Sequence, residues 1–472
     1  MAPDHYPLSD VLAVAKVHPF YSDTKYPPTP EELHHVLRVS KDKGGNDLDL
    51  KSFSLTRKDA LYKQIGRLTV DTDPSNGYRR NTYISTTGGG SGGPMMVFAT
   101  DSVENRKQRA VIGSLMRTCG LIEPGDWVVT MHVSGHLYRA LDLMTELMEN
   151  AGAAVLCAGP EMSHQAVFDA IVHYRANVVA GDAGQLVQLA NYISKLPAEQ
   201  RSSLRLTKIL YTSESMTPAQ RTLLTSVLGD IVFCSVIGSA EAGPWAVASS
   251  ALTGNTNENY MDFIFDTRTI HIEVLPLSIE EDPERKSLCQ SDCIENVPDG
   301  EVGLIVQTSL QRLRNPLVRY VCGDIGSLHP LPQTAQAQLT AKDVQHYKMV
   351  RVYGRDRRIS FDWYGEYFEF HTIQALMRTK EWAILQWQII LRHKDDSSVD
   401  VLLEIRIIRD PKNDGTQISE QELVGKIKDF FMVFDFNEDL FQLKFIPNFS
   451  GFERSTTGRK VMNFVDWTRG KQ

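Results

Sequence analysis

From about Tyr83 to residue 236 the chain alternates short apolar runs with amphipathic stretches of helical period, and this alternation leaves few folds open. Strand-like runs fall at 127–131, 153–157, 177–180, 208–212 and 231–236. Between them, Val103, Val111 and Leu115 mark one helical stripe, and Leu137, Leu141, Met144 and Met148 mark the next. Asp101 with Glu104 fits an N-terminal capping pair, while Gly120 and Gly152 fit helix ends. Repeated β-α units of this kind predict an α/β fold with a largely parallel sheet covered by helices.

The pattern changes on either side. Residues 1–80 read as irregular, with scattered short helices and the breakers Pro27, Pro28, Pro30, Gly44 and Gly45. After residue 260, short strands at 261–265, 269–274 and 301–308 suit an antiparallel, β-rich subdomain. Beyond Arg355, strands near 383–392, 398–408 and 440–446 and a helix near 421–434 predict a small α+β domain. The boundaries expected are therefore 1–354 and 355–472.

Composition narrows the class of partner. With 472 residues, 42% hydrophobic and 23% charged, the chain can bury a sizeable core. A formal net charge of −8 argues against a nucleic-acid surface, though a nucleotide in a local pocket stays allowed. The first twenty residues lack the apolar run of a signal peptide, and no stretch approaches the ~20 apolar residues needed to span a bilayer. Six cysteines are sparse for this length, so a reduced, cytoplasmic protein is expected. Cys289 and Cys293 form a lone C-x3-C; a zinc site would want two more ligands at recognisable spacing.

The strongest local signal is Ser85-Thr86-Thr87-Gly88-Gly89-Gly90-Ser91-Gly92-Gly93-Pro94. Glycines let backbone N–H groups turn toward an anion, and the hydroxyls add donors. The dinucleotide fingerprint is formally matched, but it should open into a helix, whereas Met95-Met96-Val97-Phe98 reads as a strand. The Walker A pattern fails, since no Gly-Lys-Ser/Thr follows. A flexible linker is the bland reading, but linkers seldom separate two hydrophobic runs inside a domain.

Taken with the rest of the chain, this loop resembles the flexible phosphate loop of the adenylate-forming superfamily of acyl-CoA ligases and adenylation domains, in its phenylacetate–CoA ligase branch. Ile237-Gly238-Ser239-Ala240-Glu241 is similar to that family's Tyr-Gly-x-Ser/Thr-Glu segment, and Tyr320-Val321-Cys322-Gly323-Asp324 to its Tyr-x-Thr-Gly-Asp segment. Tyr353-Gly354-Arg355-Asp356, followed by Gly365, resembles the hinge and the loop after it. Arg454-Ser455-Thr456-Thr457-Gly458-Arg459-Lys460 resembles the C-terminal lysine motif. His18-Pro19-Phe20-Tyr21 and Leu55-Thr56-Arg57-Lys58 also look like that branch. The likeness covers nearly the whole chain.

The resemblance implies ATP-dependent activation of a carboxylic acid, aromatic or arylacetic, to an acyl-adenylate with pyrophosphate release, then transfer to coenzyme A. ATP, Mg2+ and coenzyme A are the implied cofactors. Residues 1–354 would bind ATP and acid, and 355–472 would form a mobile lid turning about Asp356. ATP or AMP contacts are implied for Ser85, Thr86, Thr87, Gly88, Gly89, Gly90, Ser91, Ser213, Glu214, Ser215, Ile237, Gly238, Ser239, Ala240, Asp324 and Arg355. Glu241 is the implied Mg2+ ligand, since Mg2+ takes a carboxylate or two plus phosphate oxygens and water. The acyl pocket is expected from His132, His136, Tyr138, Gly181, Gly238 and Trp245, and the pantetheine channel at Gly365. Lys460 is the implied catalytic lysine, with Arg459 the alternative because the family has Gly directly before its Lys.

Three departures matter. Ile237 stands where the family has a Tyr beside adenine, Ala240 replaces a hydroxyl residue, and Gly93 falls where many members carry Lys. They keep a non-catalytic AMP-binding protein open, beside a carrier-protein thiol or an amine as acceptor. The expected partners are small molecules, the acid, ATP and a thiol, with a homodimer by analogy and neither nucleic acid nor membrane.

Overall fold

A computed structural model describes residues 4–42, 48–86, 97–135, 137–212, 216, 218–254, 260–280, 294–356, 360–395, 398–409, 417–454 and 461–468. The chain divides into two compact units, the larger drawn mostly from residues up to Gly354 and the smaller mostly from Arg355 onward.

In the larger unit, β1 (Thr82–Thr86) and β2 (Val97–Asp101) pair antiparallel as a separate ribbon, with Thr86 opposite Val97. There follow β3 (Trp127–Thr130), the short β4 (Ser134–Gly135) and β5 (Tyr138–Arg139), β6 (Ala154–Cys157), β7 (Val178–Asp182) and β8 (Lys208–Thr212). Next come β9 (Val232–Ser239), β10 (Gly243–Ser249), β11 (Met261–Asp266), β12 (Ile270–Leu275), β13 (Gly303–Ser309), β14 (Tyr320–His329) and β15 (Tyr347–Arg355). Among the described residues, eleven of these join in one sheet of order β12-β13-β14-β15-β11-β10-β9-β8-β7-β3-β6. The half from β6 to β9 is parallel, as the β-α alternation requires. At β9–β10 the sheet turns antiparallel. The antiparallel strands expected as a β-rich subdomain extend this same sheet instead of forming one of their own.

Helices Ser102–Thr118 and Ala140–Ala151 bury Ile112, Leu115, Met116, Met144, Leu147 and Met148 against Val128, Val178, Leu210 and Val247 of the sheet. Two residues expected on these stripes are instead exposed, Val103 at 55% and Leu137 at 72%. The first two turns of Ser102–Thr118 present a polar face inward, with Glu104, Asn105, Gln108 and Arg109 buried, so Val103 faces out. Leu137 precedes its helix in a left-handed conformation at φ 67°. Asp101 caps as expected, accepting from the Val103 and Glu104 N–H groups, and Gly152 ends its helix at φ 112°. The N-terminal region is more regular than its breakers suggest. Pro30 opens the helix Pro30–Asp42, at the position where a missing N–H costs nothing, and Lys58–Val70 is a second helix of 13 residues.

In the smaller unit, β16 (Ser360–Trp363) and β17 (Glu366–Glu369) form a hairpin. β18 (Ile384–His393), β19 (Val401–Arg409), β20 (Phe441–Phe445) and β21 (Phe464–Asp466) make a four-stranded sheet of order β20-β19-β18-β21. Helix Glu420–Phe430 packs Leu423, Ile427 and Phe430 into a core with Phe361, Phe368, Ile389, Leu403 and Ile405. This helix stops short of residue 434 because Met432 takes a left-handed φ of 53°.

Candidate active site

Ligands in open α/β sheets bind beyond the carboxyl ends of the parallel strands, and three of the expected residues fall there. His132 follows β3 and is fully buried. Its Nδ1 lies 2.8 Å from Thr130 Oγ1 and its Nε2 2.9 Å from Thr212 Oγ1, which in turn lies 3.5 Å from Asp182 Oδ1. A hydrogen-bonded chain thus crosses the ends of β3, β8 and β7. Burial lowers the His132 pKa, so the ring is neutral at pH 7. Gly181 on β7 has little room beside it: a β-carbon would lie 3.0 Å from Gln185 Oε1 and 3.3 Å from Met131 Cε. Tyr138 on β5 is half-buried, and Thr86 at the end of β1 donates to the adjacent Leu137 carbonyl at 3.0 Å. That bond ties Ser85 and Thr86, at the start of the glycine run, to the wall where the acyl pocket was expected. Trp245 is buried on β10, edge-on to Phe265 at 6.2 Å.

The segment Ile237–Glu241 runs from β9 into the tight β9–β10 hairpin. Gly238 sits opposite Pro244, and a β-carbon there would lie 2.8 Å from the Gly243 carbonyl oxygen. Only glycine fits that approach, so Gly238 has a structural reason independent of any ligand. At the tip, Ser239 Oγ accepts from the Ala242 N–H at 3.0 Å, and Gln108 Nε2 donates to the Ala242 carbonyl at 2.8 Å. Glu241 is buried, and its Oε1 accepts from the Tyr62 hydroxyl at 2.8 Å. Its Oε2 accepts from no other described residue. Burial first, and then the adjacent Glu241 carboxylate, push the Tyr62 hydroxyl pKa well above its usual value. Among the described residues, no three His, Cys, Asp or Glu side chains converge as a metal site. One buried carboxylate with an oxygen to spare fits Mg2+, which completes its shell with phosphate oxygens and water.

Asp324 lies where β14 bulges. Val306 pairs with Val321 but Leu304 with Ile325, so Cys322-Gly323-Asp324 carry the extra length, and Gly323 takes φ 85°. The start of β14 is held from the N-terminal region. Thr56 N–H donates to the Arg319 carbonyl, Val321 N–H to the Thr56 carbonyl, and Thr56 Oγ1 to the Val318 carbonyl at 2.7 Å. Arg319 forks onto Glu273 with two bonds of 3.0 Å and donates to the Phe53 carbonyl. The Tyr21 hydroxyl accepts from Val318 N–H and donates to the Pro316 carbonyl. The two N-terminal motifs therefore position the Gly-Asp strand.

In the smaller unit, the Arg355 guanidinium stacks 3.8 Å from the Tyr367 ring centroid. Asp356 is buried, and its carbonyl accepts from Ser360 N–H at 3.0 Å. Gly365 is the second residue of the β16–β17 turn, at φ 78° after Tyr364 at φ 50°. A two-residue turn with both residues left-handed needs glycine there whether or not a ligand passes. Thr87, Gly88, Gly89, Gly90, Ser91, His136, Ser213, Glu214, Ser215, Arg459 and Lys460 lie outside the described residues, as do Cys289 and Cys293.

Sequence reasoning missed Tyr62, Gln108, Arg312 and Asn315. Arg312 is buried with its Nη2 3.4 Å from Gln108 Oε1. Asn315 links His18 to β2, donating to the Ala99 carbonyl at 2.8 Å. Their partners lie about 130 or more residues away along the chain in most cases, so no local pattern marks them. A polar run on the inward face of helix Ser102–Thr118 was the one available signal.

No family model matches the sequence, and no curated protein matches it. Solved structures do. The 2-hydroxyisobutyryl-CoA ligase in complex with 2-HIB-AMP and CoA in the thioesterification state is similar at a TM-score of 0.65 and 16% identity, over 97% of this chain and 88% of that one. An open conformation of the same ligase matches at 0.51, again with 16% identity, over 97% and 90%. The amide bond synthetase McbA from Marinactinospora thermotolerans matches at 0.50 and 14% identity, over 80% and 68%. The chain is built on the adenylate-forming fold. No described helix is long and apolar enough to cross a membrane.

Proposed function

We propose that this protein activates a carboxylic acid with ATP and passes the acyl group to coenzyme A. In the first half-reaction a carboxylate oxygen attacks the α-phosphorus, and the bond to pyrophosphate breaks. In the second, a thiolate attacks the acyl carbon and AMP leaves. The observation that carries this reading is Glu241, a buried carboxylate at a hairpin tip whose Oε1 is held by Tyr62 while Oε2 stays available. A divalent ion there would offset the repulsion between the two anions.

The chain's own residues supply the rest. Ser85, Thr86 and the glycine run after them donate to phosphate. Asp324 accepts from the ribose hydroxyls, its approach opened by the bulge at Gly323. Arg355 adds ribose or phosphate donors, and Lys460, or Arg459 in its place, brings carboxylate and α-phosphate together. The edge formed by His132, Tyr138 and Gly181 bounds the acid, an aromatic or arylacetic one. Residues 1–354 act as the ATP- and acid-binding domain and 355–472 as the lid turning at Asp356. Such ligases crystallise with an acyl-AMP and CoA, and McbA is an amide bond synthetase on the same fold.

Pyrophosphate release over a panel of acids tests the reading. Release that depends on one acid class and on Mg2+, followed by CoA-dependent thioester, is the expected result. Release with an amine product instead would move the acceptor, and no acid-dependent release would leave a nucleotide-binding protein.

A further inference from the structure

Arg312 is 1% exposed, and its surroundings hold it rigidly. Leu313 N–H donates to Glu104 Oε1 at 3.2 Å, Arg314 pairs with Asp101 at 3.0 Å, and Asn315 is anchored to β2. The guanidinium lies 5.2 Å from the Phe98 ring centroid. Burial pulls its pKa down to about 10, against the opposing pull of Glu104, Glu241 and Tyr62, so it is charged at neutral pH. Two of its nitrogens, Nε and Nη1, donate to no described residue. A buried cation with idle donors is costly, and an apolar side chain of like volume would pack at less expense. The arrangement calls for a use beyond packing.

Its third nitrogen supplies one. Nη2 donates to Gln108 Oε1, and Gln108 Nε2 donates to the Ala242 carbonyl, one residue from Glu241. Gly243 closes the tip at φ 72°, and a β-carbon on it would lie 2.5 Å from Gln108 Oε1 and 2.9 Å from Arg312 Nη2. Both side chains therefore lie against the hairpin backbone with no slack. Tyr62 fixes the carboxylate itself, and the Arg312–Gln108 pair fixes the backbone that carries it.

We propose that Arg312 is a positioning residue for Glu241, acting through Gln108 on the backbone of the β9–β10 tip. This rests on the reading of Glu241 as the metal carboxylate. Groups that orient a ligand from behind govern metal affinity by about 10–100-fold, and a loosened hairpin tip should fall at the lower end.

The test measures Mn2+ binding to the full chain with ATP by electron paramagnetic resonance, beside melting temperature without metal. Arg312→Lys keeps the charge but loses the planar fork; Gln108→Leu keeps Arg312 and removes the link. Each should weaken Mn2+ binding about tenfold. The double variant should be no weaker than the worse single one, because both cut one path. Wild-type Mn2+ affinity in Arg312→Lys, or losses that multiply in the double variant, would overturn the proposal. Should Arg312→Lys melt below the assay temperature, Gln108→Leu decides alone, and wild-type affinity there refutes the route. Glu241→Gln separates the two readings. Unchanged Mn2+ binding in that variant overturns the metal assignment and this proposal together, whereas weakened binding there with normal Gln108→Leu overturns this proposal only.

Discussion

His18 should make the larger unit sensitive to acid in a way that can be measured and assigned. The ring is fully buried; its Nδ1 accepts from Phe20 N–H at 3.2 Å, which leaves the proton on Nε2, 3.3 Å from Asn315 Oδ1. Burial pushes the imidazole pKa from 6.5 to about 3. The folded state therefore refuses a proton that the unfolded state takes. Above pH 6.5 neither state binds it and stability is unaffected; stability falls as pH drops from 6.5 toward 3. Each pH unit in that window costs about 1.4 kcal/mol, so His18 alone should cost about 2 kcal/mol by pH 5. His18→Gln keeps a donor and an acceptor but cannot titrate. Urea unfolding at pH 7.5 and pH 5, followed by tryptophan fluorescence, gives the loss on acidification for each protein. The variant should start less stable at pH 7.5 yet lose about 2 kcal/mol less on acidification. His132, His164, His271 and His329 are also lowered by burial, but they are present in both proteins and cancel in the comparison. An equal loss in wild type and His18→Gln would refute the reasoning.

Lys460→Ala should cut acyl-adenylate formation far more than thioester formation from supplied acyl-adenylate, measured as pyrophosphate release against acyl-CoA; normal adenylation would pass the role to Arg459. Gly365→Ala should destabilise the β16–β17 turn by about 1–2 kcal/mol, seen as a lower melting temperature of the smaller unit, because its φ of 78° strains any β-carbon. Arg319→Met should cost about 3–5 kcal/mol in urea unfolding by stranding Glu273, and adding Glu273→Leu should recover most of it.

The parallel half of the sheet was legible because buried parallel strands must be apolar runs, and β8 falls at the residues expected from them. The start of helix Ser102–Thr118 was not. Periodicity counts apolar residues, whereas the start of this helix buries Glu104, Gln108 and Arg109 and leaves Val103 out. Asp101 and Glu104 show the same limit. The pair reads as a reciprocal cap, but only Asp101 caps; the Glu104 carboxylate accepts from the Tyr6 hydroxyl and Leu313 N–H, partners far along the chain. Burial there raises its pKa to about 7. Motifs singled out Glu241 and Asp324 as candidates, since each needs only a short segment with a fixed turn. The side chains around Glu241, namely Tyr62, Gln108 and Arg312, come from three separate segments and carry no local signature.

The departures at Ile237 and Ala240 bear on whether the site retains chemistry or only binding. Ile237 is half-buried and pairs with Ala246, so it can offer an adenine an apolar surface but no ring; stacking is worth about 0.5–1.5 kcal/mol beyond burial. The missing hydroxyl at Ala240 removes one donor to an anion, worth about 1.5–3 kcal/mol. Ser239 does not replace it, because its hydroxyl accepts from Ala242 N–H and fastens the turn. Under the proposed function, both losses act on how tightly nucleotide is held. Neither touches Glu241, which stays buried, bonded to Tyr62 and backed by Gln108 and Arg312. A protein that merely held AMP would need no such carboxylate, and burying it beside a cation with idle donors would weaken its fold for nothing. These terms support the proposed reading, an acid-activating enzyme with modest nucleotide affinity, over an inert binder.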